Sequence, residues 1–73
     1  MSNKEYVKYL WEVLNKYKET AEQHEFPRLM TVDIMFGPAY NDLQENWDEK
    51  HGELFIKGMK MVFEKFNIEF DEQ

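Results

Sequence analysis

Apolar residues return at three- and four-residue intervals over two long stretches of this chain, and that spacing limits its fold more than any other feature. In the first stretch Tyr6, Val7, Leu10, Trp11, Leu14, Tyr17 and Ala21 line one side of a helix, with Val13 on its flank. In the second, Trp47, His51, Leu54, Phe55, Gly58, Met59, Val62, Phe63 and Phe66 do the same. A mainly α fold follows, a compact helical domain in which a long helix over about 3–24 and another over about 48–66 bracket shorter pieces. At 73 residues the chain makes a single domain, 1–73.

Local signals sharpen the boundaries. Ser2 with Glu5 three residues on is a capping box for the first helix. Glu12 with Lys16, and Lys18 with Glu22, are spaced to pair across one turn. Pro27 disfavours helical geometry at Phe26, so this helix should end near Gln23–Glu25. Met30, Val32, Ile34 and Phe36 alternate in a way that suits a strand, but Thr31 as a cap and Asp33 in a first turn favour a short helix over 32–36. Gly37 then terminates it, and Pro38 opens a second short helix over 38–46 with Tyr40, Leu43 and Trp47 along one side. Asn46 or Asp48 is placed to cap the last helix, where Gly52 and Gly58 mark close approach of another element. The tail Asn67-Ile68-Glu69-Phe70-Asp71 alternates, as a short terminal strand over 67–71 would.

So small a core is marginal and needs reinforcement, and no cysteine is present to supply it by a disulfide or a thiolate metal site. The absence fits a reducing compartment, and no apolar run approaches a membrane span, so a cytoplasmic setting, in a cell or an infected host, is expected. Dense packing and a homodimer remain as sources of stability. Twelve aromatic residues favour both. Tyr9, Ile56, Met61 and Phe70 fall off the two stripes, and one small core should struggle to bury them, so they are predicted to form an apolar dimer or partner surface.

Charge is unevenly spread. Residues 29–53 hold six acids and one base, nearly all of the net −6. Asp42, Glu45, Asp48, Glu49 and Glu53 surround Trp47, which makes a candidate patch for a partner protein with a basic surface. A solvated charged face with Trp47 in the core stripe is the blander account of the same residues. Catalysis has no support: the hydroxyls are Ser2, Thr20, Thr31 and the tyrosines, and the two histidines are isolated, so no nucleophile, base and orienting group assemble. Asp48 and His51 lie one turn apart, but a helical di-metal site needs a second such pair, so no metal or cofactor is expected. His51 on an apolar stripe is better explained as a half-buried side chain bonded to a neighbour. Direct nucleic-acid binding is disfavoured, since the acids repel phosphate, although Lys4 with Lys8 and Lys57 with Lys60 each share a turn.

The stretch Val32-Asp33-Ile34-Met35-Phe36-Gly37-Pro38-Ala39-Tyr40, followed by Leu43, Gly52-Glu53-Leu54-Phe55 and Ile68-Glu69-Phe70, resembles a small, functionally uncharacterised bacterial and phage domain family. That family reads D-L-F-G-P, an aromatic, a Leu, then G-x-x-F on a helix before an isoleucine-containing strand. The likeness spans about residues 32–70. Two apolar residues stand here between Asp33 and Phe36 where the family has one, Glu53 stands where it often has a base, and its later strands have no counterpart. The resemblance implies short helices arranged somewhat like a helix-turn-helix, and it assigns no functional residue. The function expected from all of this is a small acidic protein-binding module, of the kind a phage or mobile element uses to occupy and inhibit a host protein. A dimeric helix-turn-helix-like DNA-binding regulator is the alternative, and a structural oligomer or virion component is the third.

Overall fold

The computed structural model describes residues 1–73 as three helices and an extended tail. Helix α1 spans Asn3–Thr20, a turn of 3-10 helix Gln23–Glu25 follows, and α2 (Phe26–Glu45) and α3 (Glu49–Phe66) complete the bundle, in which α3 packs on both α1 and α2 and most extensively on α1. Both long helices expected from periodicity are present. The capping box of α1 forms: the Glu5 N–H donates to Ser2 Oγ at 3.2 Å and the Ser2 N–H to Glu5 Oε1 at 3.0 Å. Tyr6, Val7, Leu10 and Leu14 of its stripe are buried against α3 and α2.

Three expectations about boundaries are corrected. First, α1 stops at Thr20, and Ala21 and Glu22 are extended, so Glu22 leaves the helix before it can reach Lys18. Lys18 instead bonds Asp33 of α2, Nζ to Oδ2 at 2.6 Å, while Glu12 and Lys16 make no ion pair. Second, Phe26 is helical despite the proline after it, and Pro27 occupies the first turn of α2, where its missing N–H costs nothing.

Third, the two short helices over 32–36 and 38–46 are one helix of 20 residues. Gly37 does not terminate it, and Pro38 lies in its interior. Pro38 leaves the Ile34 carbonyl without a helical donor, a cost that packing on both sides of the dipeptide offsets. Phe36 stacks edge-on against Phe55 at 5.7 Å, and Tyr40 lies flat on Trp11 at 4.7 Å. Glycine before the proline helps, because it has no Cβ to strike the proline ring in helical geometry. Thr31 is no cap: its hydroxyl donates to the Pro27 carbonyl inside the helix at 3.0 Å.

The tail is not a strand. Asn67 turns the end of α3 in the left-handed conformation (φ 57°), and the Ile68 N–H donates to the Phe63 carbonyl at 2.8 Å. No neighbouring strand exists for residues 67–71, and tyrosine hydroxyls take its place: Tyr6 donates to the Asp71 carbonyl at 2.7 Å, and the Asp71 N–H donates to Tyr9 at 2.9 Å. Ile68 is buried, Phe70 packs on Phe63 at 5.3 Å, and Lys60 pairs with Glu72 at 2.9 Å. Burial keeps the Tyr6 hydroxyl protonated to higher pH than usual.

Both helix-3 glycines act as seats for aromatic rings. A Cβ on Gly58 would lie 2.8 Å from Phe36 Cε1, and one on Gly52 would lie 2.6 Å from Trp47 Cζ2. Alanine at either site gains helix propensity of about 1 kcal/mol but displaces the ring. Gly52→Ala is expected to destabilise the more, by about 1–2 kcal/mol net, since several atoms of the indole are in the way. Urea unfolding of the two variants checks the ranking. Asp33 Oδ1 is buried without a partner, so Lys18→Met, which also strips Oδ2, is expected to cost about 1 kcal/mol in the same assay.

Candidate interaction surface

The residues joining α2 to α3 do not form one acidic patch. Asp48 caps α3, accepting from the His51 N–H at 3.0 Å, with the His51 ring 3.2 Å from its other oxygen. Glu49 turns toward α1, where it accepts from Asn3 Nδ2 at 2.7 Å and from Trp47 Nε1 at 2.8 Å. Trp47 is half-buried, its ring on Gly52 and its N–H satisfied by Glu49, so it belongs to the packing of the α2–α3 corner. Glu53 sits on the flank of α3 away from α2, by the 100° per residue of a helix. Asp42, Glu45 and Asp48 remain together, at the mouth of an open groove between α2 and α3.

That groove is the main feature that sequence reasoning missed. Its floor is apolar, with Met35, Phe36 and Ala39 from α2 and Leu54 and Phe55 from α3, and its volume is about 730 Å³. Farther along the same seam a second hollow of about 420 Å³ shares Met35 and Phe36 and adds Met61 and Val62. Arg28 and Lys65 stand at that far end. The seam thus runs from an acidic end to a basic end over an apolar middle. Met35, Leu54 and Met61 are 67%, 58% and 60% exposed, which is unusual for three such side chains on one strip of a small domain.

The predicted apolar surface of Tyr9, Ile56, Met61 and Phe70 is divided: Ile56 is lost to the core, and the other three lie at two separate places on the surface. Ile56 is in the core, because α3 buries the side that holds Gly52, Ile56, Met59 and Phe63. Tyr9 stacks on Tyr6 and binds the tail and Phe70 packs on Phe63, and both remain half-buried, lining together a shallow hollow of about 460 Å³ beside the tail. Met61 alone of the four is exposed. Leu54 and His51, read as part of the apolar stripe, are exposed instead, since the buried side of α3 is rotated away from them. A signal for the seam was present in composition: α2 has four charged residues in 20, and none from Ile34 to Asn41.

No three His, Asp or Glu side chains converge as metal ligands, and no helix is long and apolar enough to cross a membrane. No family model, no curated protein and no solved structure matches the chain.

The cap at Asp48 has a consequence for acid stability. The His51 backbone N–H holds the Asp48 carboxyl below its ordinary value of 3.8. Since the folded state depresses the value, the carboxylate stabilises the fold above the unfolded value, and that contribution is lost as pH falls through the folded one. The Ser2 backbone N–H depresses Glu5 in the same sense. Asp48→Asn keeps a cap acceptor without the titration. Thermal melts between about pH 2 and 6 are expected to show a shallower acid limb for this variant than for wild type.

Proposed function

We propose that this chain is a protein-binding module without catalytic activity, and that it engages its partner through the α2–α3 seam. The observation that carries the reading is the exposed strip of Met35, Leu54 and Met61 bordered by Asp42, Glu45 and Asp48. Contiguous apolar surface rimmed by polar groups is the usual form of a protein-contact site. The flexible thioethers of Met35 and Met61 adapt to an opposing surface at little cost. The acidic mouth favours a partner whose facing surface is basic and speeds the encounter. Occupation of a host protein by a phage or mobile-element accessory protein is one setting for such a module, supported by its small size and acidity.

The test compares proteins captured from host lysate by the immobilised wild type with those captured by Asp42→Lys/Glu45→Lys and by Met35→Lys. These side chains make no hydrogen bond or ion pair within the chain, so the fold should tolerate the changes. A partner bound by wild type should be lost with Met35→Lys. With Asp42→Lys/Glu45→Lys its association rate should fall about tenfold or more at low salt. Capture that is indifferent to all three changes would rule the seam out. A salt-dependent shift of duplex DNA by the wild type would favour the regulator instead, and a large assembly by light scattering would favour the structural oligomer.

A further inference from the structure

Helix α2 ends in charges that oppose its own dipole. Arg28 lies in its first turn, over the Phe66 ring at 4.6 Å and after the acid Glu25 at the N-cap position, and Asp42 and Glu45 lie in its last, beside unpaired carbonyls with no base among them. The other helices pair an acid with a base in each end turn, Lys4 with Glu5 and Lys18 with Glu19 in α1, Glu49 with Lys50 and Glu64 with Lys65 in α3, so neither opposes its dipole. Neither Asp42 nor Glu45 has a cation within the chain, and the four ion pairs all lie elsewhere. The mismatch is confined to the helix that is apolar on its outer side as well as its inner one. Such a helix is normally covered on both.

The order of these groups along the seam is symmetric. Arg28 and Asp42 each stand seven residues from Met35, two turns in either direction and so on the same side of α2. On the facing wall the two positions seven residues from Gly58 are His51 and Lys65, both bases, and the acid of that wall is Asp48, 3.2 Å from the His51 ring. Met35 and Gly58 line the same stretch of the seam, at its middle. A surface with opposite charges at equal distances from an apolar centre is complementary to itself after a half-turn.

We infer that the seam pairs with a second copy of this chain, antiparallel, across a two-fold axis passing beside Met35 and Gly58. The inference rests on the reading of the seam as a protein-binding surface and names its occupant. In the pair, Arg28 of each copy faces Asp42 and Glu45 of the other, and Lys65 faces the Asp48 end. Met35 packs against Met35, and Leu54 of one copy meets the region of Met61 on the other. The two α2 dipoles oppose, so each reversed charge meets a charge of opposite sign. Two helices of about 27–30 Å laid side by side bury roughly 1,000 Å² in such a pair, at the small end for a stable interface. Association across so small an interface should therefore be weak and reversible.

Sedimentation velocity of the full chain from about 1 to 500 µM tests this. Wild type should pass from monomer to dimer over that range. Arg28→Glu, and separately Asp42→Lys/Glu45→Lys, should each weaken dimerisation about tenfold or more, and all three changes together should restore it. Asp42→Lys/Glu45→Lys improves the match to the dipole of α2, so its melting temperature in dilute solution should equal or exceed that of wild type, which separates lost pairing from lost folding. A wild type still monomeric at the highest concentration overturns the inference. So does a dimer that persists in the charge variants and in Met35→Glu. If the wild type is monomeric while Met35→Lys abolishes capture of another protein, self-pairing fails and the binding reading stands. If a dimer responds to the seam changes while capture does not occur, the second copy is the partner.

Discussion

The contact between Phe36 and Gly58 sets the distance between α2 and α3, and most of the structure depends on it. With no Cβ at Gly58, the Phe36 ring enters the space beside α3 and meets Phe55 edge-on. Phe55 in turn touches Trp11 and Tyr40, so one group of aromatic rings joins all three helices. Gly52 repeats the device one turn and a half earlier by seating Trp47. These two seats close the α2–α3 corner and hold α2 helical through Gly37 and Pro38, where its own sequence would interrupt it. A small core without disulfides thus gains stability from ring-on-backbone packing.

The same contact determines what is left exposed. Bringing α2 against α3 on the side of Phe36 and Leu43 leaves Met35 on the outer wall, and the rotation that buries Ile56 and Met59 leaves Leu54 and Met61 there too. The exposed seam follows from helix rotation; it is not a remainder of poor packing. Elsewhere the apolar excess is absorbed efficiently. The tail carries Ile68 and Phe70 back onto α1 and α3, and Tyr6 and Tyr9 satisfy the backbone polar groups that this segment would otherwise leave unpaired.

Charge placement tells two stories. In α1 and α3 each end turn balances an acid against a base, and Ser2 and Asp48 satisfy the first N–H groups. Those charges serve the fold. Asp42 and Glu45 do not serve α2 and their neighbours in the seam are apolar, whereas Arg28 lies over the Phe66 ring at 4.6 Å and serves both the monomer and the seam. That separates charges used within the monomer from charges available to a partner, a distinction net charge does not make.

By itself the sequence determined the helical class, the two long amphipathic helices, the Ser2 cap and the role of Gly52 and Gly58 as points of close approach, and it narrowed the cap of α3 to Asn46 or Asp48, of which the structure uses Asp48. Each of these depends on interactions within a few residues or on a side-chain period, and both are written locally. The continuity of α2 was decided by tertiary structure, because Phe36 and Tyr40 find ring partners on α3 and α1 that outweigh the local tendency of Gly37-Pro38 to break a helix. The same is true of Lys18, which exchanged a partner one turn away for Asp33 once α1 ended early. The candidate surface was only partly legible. Its acids at Asp42, Glu45 and Asp48 stand out in composition, whereas Glu49, Glu53, Trp47, Tyr9, Ile56 and Phe70 were separated from it by the rotation of α3 and the return of the tail. Which face of a helix meets solvent depends on the helices packed around it, and a stripe wide enough to be ambiguous by a residue, as around His51 and Leu54, is resolved only by that packing.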